Sequence, residues 1–465
     1  MAGLVTSYPV LPNNGFIVVG DSRTASSTDP ATAYAMQRTT GSGYLGNLQR
    51  ALGWKGECVG NFGINTEKIQ GCITREHAQG IATGADPTWR AKYLDNISPS
   101  TAAAIIVLIG VNGGSVGQTD NMATCGPLYD TLFGDIITAG FIAIICNELP
   151  NTNSSGSGAA NFARRQYLDN WPDSSSGLTG AQKNTYRSKR ILVNTYDPMW
   201  AGAGVGSGYD FRTGYIIAGA GSNVLHPGIV GNLALGNAIA AVLSAVYGGF
   251  TSPTPPTSAG QAGYLQAYDM AGTGGTPGAG TSGSVATSWT SAISAAATSA
   301  GFTCALSKGT HPVTGRAEQL MTINGTGNVG GAIWNASIAR TSGTGVGSLS
   351  DGDRFRMLCR LRLVAGSTGV MGIGGSHQIT GVGITAVTNY QGYEGSSGFW
   401  ADTLGAFPTD AIDDVFMTPP ITAPTGWNSA TSRSFTSTPL IWFDGTGTIP
   451  VSCTLGISDV GLVKL

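Results

Sequence analysis

The sequence is short of charged residues. Only 11% of its 465 residues are Asp, Glu, Lys or Arg, against about 25% in an average soluble domain, and the formal net charge is −2. Binding to a phosphate backbone requires a cluster of cations, which this composition does not provide. We therefore do not expect nucleic acid as a partner.

Targeting and membrane signals are also missing. The stretch Met1 to Pro12 has no basic segment followed by an apolar core, so no secretory signal is predicted. The longest uncharged apolar stretch, residues 228–250, contains Asn232, Asn237 and several glycines. Its apolar residues recur near helical spacing, which favours a buried helix in a soluble domain over a membrane span.

The seven cysteines show no ligand spacing. They lack Cys-x-x-Cys or paired Cys/His motifs, so we expect no structural zinc and no cofactor. Because the number is odd, at least one thiol must stay unpaired within the chain. A disulfide between Cys58 and Cys72 remains open, since sequence does not fix the geometry that such a bond requires.

Glycine, in contrast, is abundant, with 71 residues, yet no G-X-Y period or other internal repeat accompanies it. Over residues 1–250, apolar runs rich in Ile and Val alternate with helical patterns, which predicts an α/β domain with a parallel sheet. The predicted strands are 16–19, 104–109, 141–146 and 191–193, and the predicted helices are 43–52, 125–139 and 227–247.

A Pro/Ser/Thr-rich stretch, 251–262, predicts a stiff linker, because proline fixes φ and lacks a donor. Residues 263–465 then carry short alternating segments separated by Gly- and Thr-rich turns, which predicts an antiparallel β-sandwich. In Arg354–Leu363 arginines alternate with apolar residues, as on a strand with one buried face.

Four short blocks in the first domain carry residues suited to catalysis. Ser22 follows Gly20 and Asp21 at the end of an apolar run, and a glycine there permits a sharp turn that presents the serine at the carboxyl edge of a sheet. Each block alone is more often a loop than a site. The other three blocks are a turn at 61–65 with Gly63, the segment 110–113 with Asn112, and the segment 223–228 with Asn223 and His226.

In this order, over about residues 14–248, the blocks resemble those of the SGNH (GDSL-type) hydrolases. The resemblance implies a flavodoxin-like three-layer α/β/α fold and ester hydrolysis, with Ser22 as nucleophile and His226 as general base. It also implies an oxyanion hole formed by the N–H groups of Ser22 and Gly63 and the side chain of Asn112. The roles are chemically sound, because a serine hydroxyl needs a base and histidine titrates near neutral pH.

Two positions depart from the family pattern, which has Asp where this chain has Asn223 and Gly113. The first matters more, because Asn can hold the imidazole ring but carries no charge, and this change costs a serine triad about 10,000-fold. Three outcomes stay open: Asn223 or a backbone carbonyl orients the ring, a carboxylate such as Asp197 or Asp210 substitutes, or the site is nearly inactive.

The second half has a looser resemblance to carbohydrate-binding-module-like jelly rolls. It rests on the turn 350–353 with the strand after it, and on a closing strand at 457–462. A glycine-rich segment places Tyr390, Tyr393 and Trp400 where they could stack on sugar faces. Packing in a core is the alternative for these rings.

Together these features predict a serine esterase that removes acyl groups, chiefly acetyl, from an acylated glycan. The accessory β domain favours an extracellular or virion-associated protein, such as a phage tail component, and leaves open a homo-oligomer, a trimer in the tail case. The rival prediction is a non-catalytic glycan-binding or virion structural protein with a decayed SGNH site, for which Asn223 and Gly113 speak.

Overall fold

The structure is a computed structural model, and it describes most of the chain. The described residues are 8–25, 38–39, 44–63, 67–74, 97–114, 121–151, 155–203, 208–212, 215, 227, 229–327, 333–383, 387–392, 412–418, 420–445, 447 and 450–465. The chain divides into two compact units, one formed by Met1–Met36 and Gly43–Ser252 and the other by Gln37–Ser42 and Pro253–Leu465.

Five parallel strands form the sheet of the first unit. Their β-branched runs are buried on both faces, as parallel strands between helix layers require. The strands are β1 Gly15–Gly20, β3 Glu57–Gly63, β4 Ala104–Leu108, β5 Ile142–Cys146 and β6 Arg190–Val193.

Seven helices accompany this sheet among the described residues. Asn121 caps the longest of the central ones, since its side chain accepts the N–H of Thr124 at 3.1 Å. The helices are α1 Ser22–Ala25, α2 Tyr44–Ala51, α3 Ile69–Thr74, α4 Met122–Thr138, α5 Ser155–Asp169, α6 Gly180–Arg187 and α7 Ile229–Val246. None of the helices in the described ranges combines the length and hydrophobicity needed to cross a bilayer.

The strand order is β3-β1-β4-β5-β6. Counted along the chain within this sheet, that order is 2-1-3-4-5, the flavodoxin-like arrangement. Alternate side chains of β1 enter two separate cores: Val18 packs with α2 and α7 on one face, and Val19 with α3 and α4 on the other. The predicted three-layer α/β/α architecture is thus confirmed.

The second unit is an all-β sandwich, as predicted. Its larger sheet has the order β16-β13-β19-β11-β10-β8, with β17 beside β13 and β7 beside β19, and its smaller sheet has the order β2-β15-β14-β18-β12-β9. Phe355 of one sheet packs against Phe435 of the other, with ring centroids 5.2 Å apart. The elements are β2 Arg38–Thr39, β7 Gln266–Tyr268, β8 Thr281–Gly283, β9 Thr290–Ile293, α8 Ala295–Ser299, β10 Thr303–Thr310, β11 Ala317–Gly325, β12 Ile333–Ser342, β13 Arg354–Leu363, β14 Val370–Val382, β15 Val387–Gly392, β16 Ile412–Met417, β17 Ile421–Thr422, β18 Thr431–Asp444 and β19 Val451–Lys464.

The structure corrects one expectation and settles one open question. Residues 354–363 do form a strand, but Arg356 is buried rather than solvent-facing, and Arg362 pairs with the buried carboxylate of Glu318. The Cys58–Cys72 disulfide, which the sequence leaves open, is not formed, because the two thiols lie in the cores on opposite faces of the first sheet. All seven cysteines are buried free thiols.

Candidate active site

Three strand ends bring the sequence blocks of the first unit together. Gly20, the last residue of β1, is aligned with Gly63 at the end of β3 and with Leu108 at the end of β4. Ser22 opens α1 two residues beyond β1, and Asn112 follows β4 by four residues. Both therefore leave the sheet at its carboxyl edge, beside the point where the strand order reverses and open α/β folds place ligands.

Gly20 is required by close packing. A Cβ at this position would collide with the Thr24 side chain and with the backbone carbonyl of Leu108. Because glycine has no side chain, β1 can run directly into α1. This agrees with the prediction that Gly20 permits a sharp turn before Ser22. Ser22 stands at the start of that turn and is partly exposed.

The residues flanking Ser22 are charged and buried. Arg23 donates from Nε to Asp21 Oδ1 at 2.9 Å and from its terminal nitrogens to Asp21 Oδ2 and Glu148 Oε2, both at 2.7 Å. Burial by itself would lower the pKa of Arg23, but the charges of Asp21 and Glu148 outweigh it and raise that pKa well above its usual range.

Glu148 likewise stays ionised. Burial alone would raise the pKa of Glu148, yet the charges of Arg23 and Arg164 and the hydrogen bond from the N–H of Leu149 together lower it. Sequence reasoning missed this cluster. Its only local signal is the presence of ionisable residues within two positions after two apolar strands.

Gly63 has a different environment from the predicted one. It ends a strand instead of lying within a turn, and its N–H donates to Asn61 Oδ1 at 2.9 Å. The Asn61 amide in turn donates to the carbonyl of Thr24 at 3.2 Å, which ties β3 to the helix that begins with Ser22. The N–H expected to serve an oxyanion is therefore engaged by a side chain of the protein.

Asn112 is held from two sides by a segment that sequence reasoning missed. Its Nδ2 donates to the carbonyl of Glu67 at 3.1 Å, and Lys68 Nζ donates to the backbone carbonyl of Asn112 at 2.6 Å. A primary amide carries two N–H donors, so one orients the side chain and the second can serve a ligand. The geometry thus fits an oriented donor at the sheet edge.

Gly113, where the family pattern has Asp, serves the backbone. Its φ of +84° lies in the left-handed region that glycine adopts without strain. Its carbonyl accepts the N–H of Ile69 at 3.3 Å, and the next carbonyl, that of Gly114, accepts Gln70 N–H at 2.8 Å. These bonds dock the loop after β4 on the first turn of α3.

His226 and Asn223 lie outside the described residues. The helix that begins three positions after His226, α7, packs against α2, and a Cβ at Gly236 would fall 2.6 Å from Cβ of Asn47. At the start of α2, the Tyr44 hydroxyl lies 3.3 Å from the hydroxyl of Thr24 in α1. The first half of α7 therefore packs on the start of α2, the helix that contacts α1.

Asp197, one of the two alternative acids, lies elsewhere on the same edge. Asp197 follows β6, which is three positions from β1 in the sheet, roughly 14 Å at ordinary strand spacing. Its carboxylate contacts Arg165 at 2.7 Å and accepts from Asn194 Nδ2 at 2.7 Å. The backbone carbonyl of Asp210 accepts the N–H of Ala201 at 2.8 Å.

In the second unit, Tyr390 lies on β15, opposite Ser376 on one side and Arg38 on the other. Tyr393 and Trp400 lie outside the described residues. Within the ranges given above, no group of three or more His, Cys, Asp and Glu is placed to hold a metal ion.

Comparisons with known proteins give weak likenesses. No family model matches the chain, and no curated protein matches it. Solved structures similar to the chain include a lipolytic protein of the G-D-S-L family from Desulfitobacterium hafniense, 15% identical, covering 50% of this chain and 100% of that one, with a TM-score of 0.31. A carbohydrate acetylesterase from Sinorhizobium meliloti is 14% identical over the same shares, with a TM-score of 0.30.

A carbohydrate-binding module of the β-sandwich superfamily is 9% identical, covering 38% of this chain and 57% of that one, with a TM-score of 0.24. At this level of similarity, any function must be argued from the residues of this chain and their arrangement.

Proposed function

We propose that this protein is a serine esterase of the SGNH type, with Ser22 as nucleophile and His226 as general base. The observation that carries the proposal is the convergence of Ser22, Gly63 and Asn112 on one sheet edge from three neighbouring strands. That edge is where a flavodoxin-like sheet binds ligands. A partly exposed serine at the same edge as oriented amide donors is the arrangement that acyl transfer needs.

In the reaction, His226 takes the hydroxyl proton as Ser22 Oγ attacks the ester carbonyl, and the carbonyl oxygen becomes an oxyanion. The Ser22 N–H and the second N–H of the Asn112 amide stabilise that charge. The Gly63 N–H donates to Asn61 Oδ1, so it can also donate to the oxyanion only if it divides its hydrogen bond between the two oxygens or releases Asn61. Collapse expels the alcohol, which receives the proton from His226, and water repeats the cycle on the acyl-enzyme.

The proposed substrate is an acylated glycan, with acetyl as the chief acyl group, and the proposed location is extracellular or on a virion, where the protein assembles as a homo-oligomer. These finer assignments rest on the sequence resemblance and on the polar β-sandwich, whose Tyr390, Tyr393 and Trp400 would contact sugar. Asn223 or a backbone carbonyl would orient His226, since Asp197 is already paired with Arg165.

The test is covalent labelling of the full chain with a fluorophosphonate probe, which requires an activated serine but no known substrate. We expect labelling of the wild type, none of Ser22→Ala, and normal labelling of Ser244→Ala, an exposed serine on α7. p-Nitrophenyl acetate hydrolysis should follow the same order, and acetate release from acetylated oligosaccharides then tests the substrate class.

A non-catalytic role is the second candidate, and the engaged N–H of Gly63 together with Asn223 favours it. A wild type that neither labels nor hydrolyses p-nitrophenyl acetate, yet is fully folded by circular dichroism, would establish this second candidate and overturn the first.

A further inference from the structure

The residue that follows the proposed nucleophile has an unusual position. Arg23 is fully buried, although it belongs to a helix that begins at the sheet edge and its neighbour Ser22 is partly exposed. A buried guanidinium is costly unless anions and hydrogen bonds compensate it. The buried charge of Arg23 therefore calls for a structural or functional reason.

Arg23 forms a fork with two carboxylates. Besides the bonds to Asp21, one terminal nitrogen donates to Glu148 Oε2 at 2.7 Å and the other to Glu148 Oε1 at 3.1 Å. Asp21 Oδ1 also accepts the backbone N–H of Arg23 at 3.1 Å. Both chain neighbours of Ser22 are thus fixed by one planar group, and planar bidentate pairing constrains direction as well as distance.

The hydrogen bonds of Arg23 link the ends of β1 and β5 across the end of β4. Asp21 follows β1 and Glu148 follows β5, and β4 lies between these two strands in the sheet. The side chains of Arg23 and Glu148 can meet past the end of β4 because Gly110, just beyond that end, has no side chain. A Cβ at Gly110 would lie 2.5 Å from Glu148 Oε1 and still closer to the Tyr129 hydroxyl. Gly110 has a φ of +143°, and Glu148 has a φ of +91°.

Positive φ at a non-glycine residue costs energy and persists only where surrounding contacts hold it. Glu148 has such contacts, because its carboxylate receives the Arg23 fork and the N–H of Leu149 at 3.1 Å. The backbone at the end of β5 is therefore held in a sparsely populated conformation by the same cluster that flanks Ser22.

We infer that Arg23 and Glu148 are positioning residues for the nucleophile: the Asp21–Arg23–Glu148 bridge sets the backbone of Ser22 relative to the ends of β4 and β5, and thereby relative to Asn112. This inference rests on the proposed function. Arg23 acts through the serine backbone and does not touch the substrate.

The inference predicts a specific kinetic effect. Arg23→Lys keeps the charge but loses the planar fork, so Ser22 should be misplaced by a fraction of an ångström to one ångström, which lowers kcat by about 100-fold. KM should stay within about twofold, because ground-state binding does not depend on the attack geometry.

The experiment measures kcat, KM and the rate of fluorophosphonate labelling for wild type, Arg23→Lys and Arg362→Lys. The last is a matched control, since Arg362 forms a bidentate pair with the buried Glu318 in the second unit, far from Ser22 in the chain. We expect slow labelling and low kcat in Arg23→Lys alone, with circular dichroism spectra unchanged in all three.

Equal kcat and labelling rates in wild type and Arg23→Lys would overturn this inference and leave the proposed function intact. An unlabelled wild type would overturn both. Should Arg23→Lys fail to fold, Glu148→Gln makes the same comparison, because it keeps an acceptor oxygen but removes the charge that holds Arg23. A normal kcat in that variant would equally overturn the inference.

Discussion

The backbone N–H of Gly63 is bonded to the side-chain carbonyl of Asn61, two residues earlier, at 2.9 Å. An amide N–H has one hydrogen, so Gly63 can serve an oxyanion only by sharing that hydrogen or by releasing Asn61. Asn61 in turn is tied to Thr24 in the nucleophile helix. The two donors expected to carry most of the stabilisation are therefore Ser22 and Asn112.

Asn112→Ala removes the side-chain donor of the proposed oxyanion hole. We expect kcat for p-nitrophenyl acetate to fall by about 100- to 1,000-fold, because donors aimed at a developing oxyanion act mainly in the transition state. KM should change little. Asn184→Ala, an exposed Asn on α6, is the matched control, and an unchanged kcat in Asn112→Ala would exclude it from the hole.

Gly110→Ala should destabilise the first unit strongly. The new methyl group would overlap the Tyr129 hydroxyl and Glu148 Oε1, and the φ of +143° disfavours any side chain. We expect a loss of roughly 2 kcal/mol or more in the free energy of unfolding, measured by urea titration. Gly180→Ala is the control, since a Cβ there meets nothing within 4 Å, and it should be neutral or slightly stabilising.

Acid should destabilise the second unit through His377. This side chain is buried on β14, against the ring of Phe355, and burial lowers the pKa of His377 to about 3, from 6.5 when solvated. Between these values the unfolded chain binds a proton that the folded chain does not, so stability falls as pH falls. The slope approaches about 1.4 kcal/mol per pH unit.

His377→Leu should remove that slope. The measurement is hydrogen exchange of peptides from β14 and β18 at pH 6.5 and 4.5, compared between wild type and variant. The variant should lose about 2 kcal/mol less than the wild type over this interval. Identical losses would mean that other groups, such as carboxylates, carry the acid sensitivity of this sheet.

The cysteines should be unreactive in the native state. Burial raises the pKa of the thiols of Cys58 and Cys146 to about 12, so little thiolate forms at pH 8. We expect negligible reaction with a disulfide reagent in native protein, and seven equivalents after denaturation without a reductant. Fewer than seven would reveal a disulfide.

Much of the first unit could be predicted because its central strands are continuous apolar runs. The ends of β1, β4 and β5 agree with the predicted runs to within one residue, and those of the helix α7 agree to within two residues. β3 was missed, since Glu-Cys-Val-Gly-Asn-Phe-Gly has neither alternation nor an apolar run. α6 was missed because no residue of it is buried, although Thr179 and Gln182 form a capping box that the sequence shows.

The candidate site also contains residues that a local sequence pattern could locate and residues that it could not. Ser22 and Asn112 could be placed at one sheet edge because each lies within three residues of the end of a predicted parallel strand. The pairing of Arg23 with Glu148 joins residues 125 positions apart and has no periodic signature. The clamp of Glu67 and Lys68 on Asn112 likewise depends on how two loops meet, which no local pattern encodes.

The strand β2 has a consequence for biosynthesis. Arg38 and Thr39 belong to the sheet of the second unit, where they pair in parallel with Tyr390 and Gln391. On a ribosome, this short strand is made some 350 residues before its partner. A polypeptide that ends at Ser252 contains β2 between α1 and α2 but lacks β15, the strand with which β2 pairs. The first unit therefore cannot be exchanged or fused at the proline-rich stretch without leaving β2 unpaired.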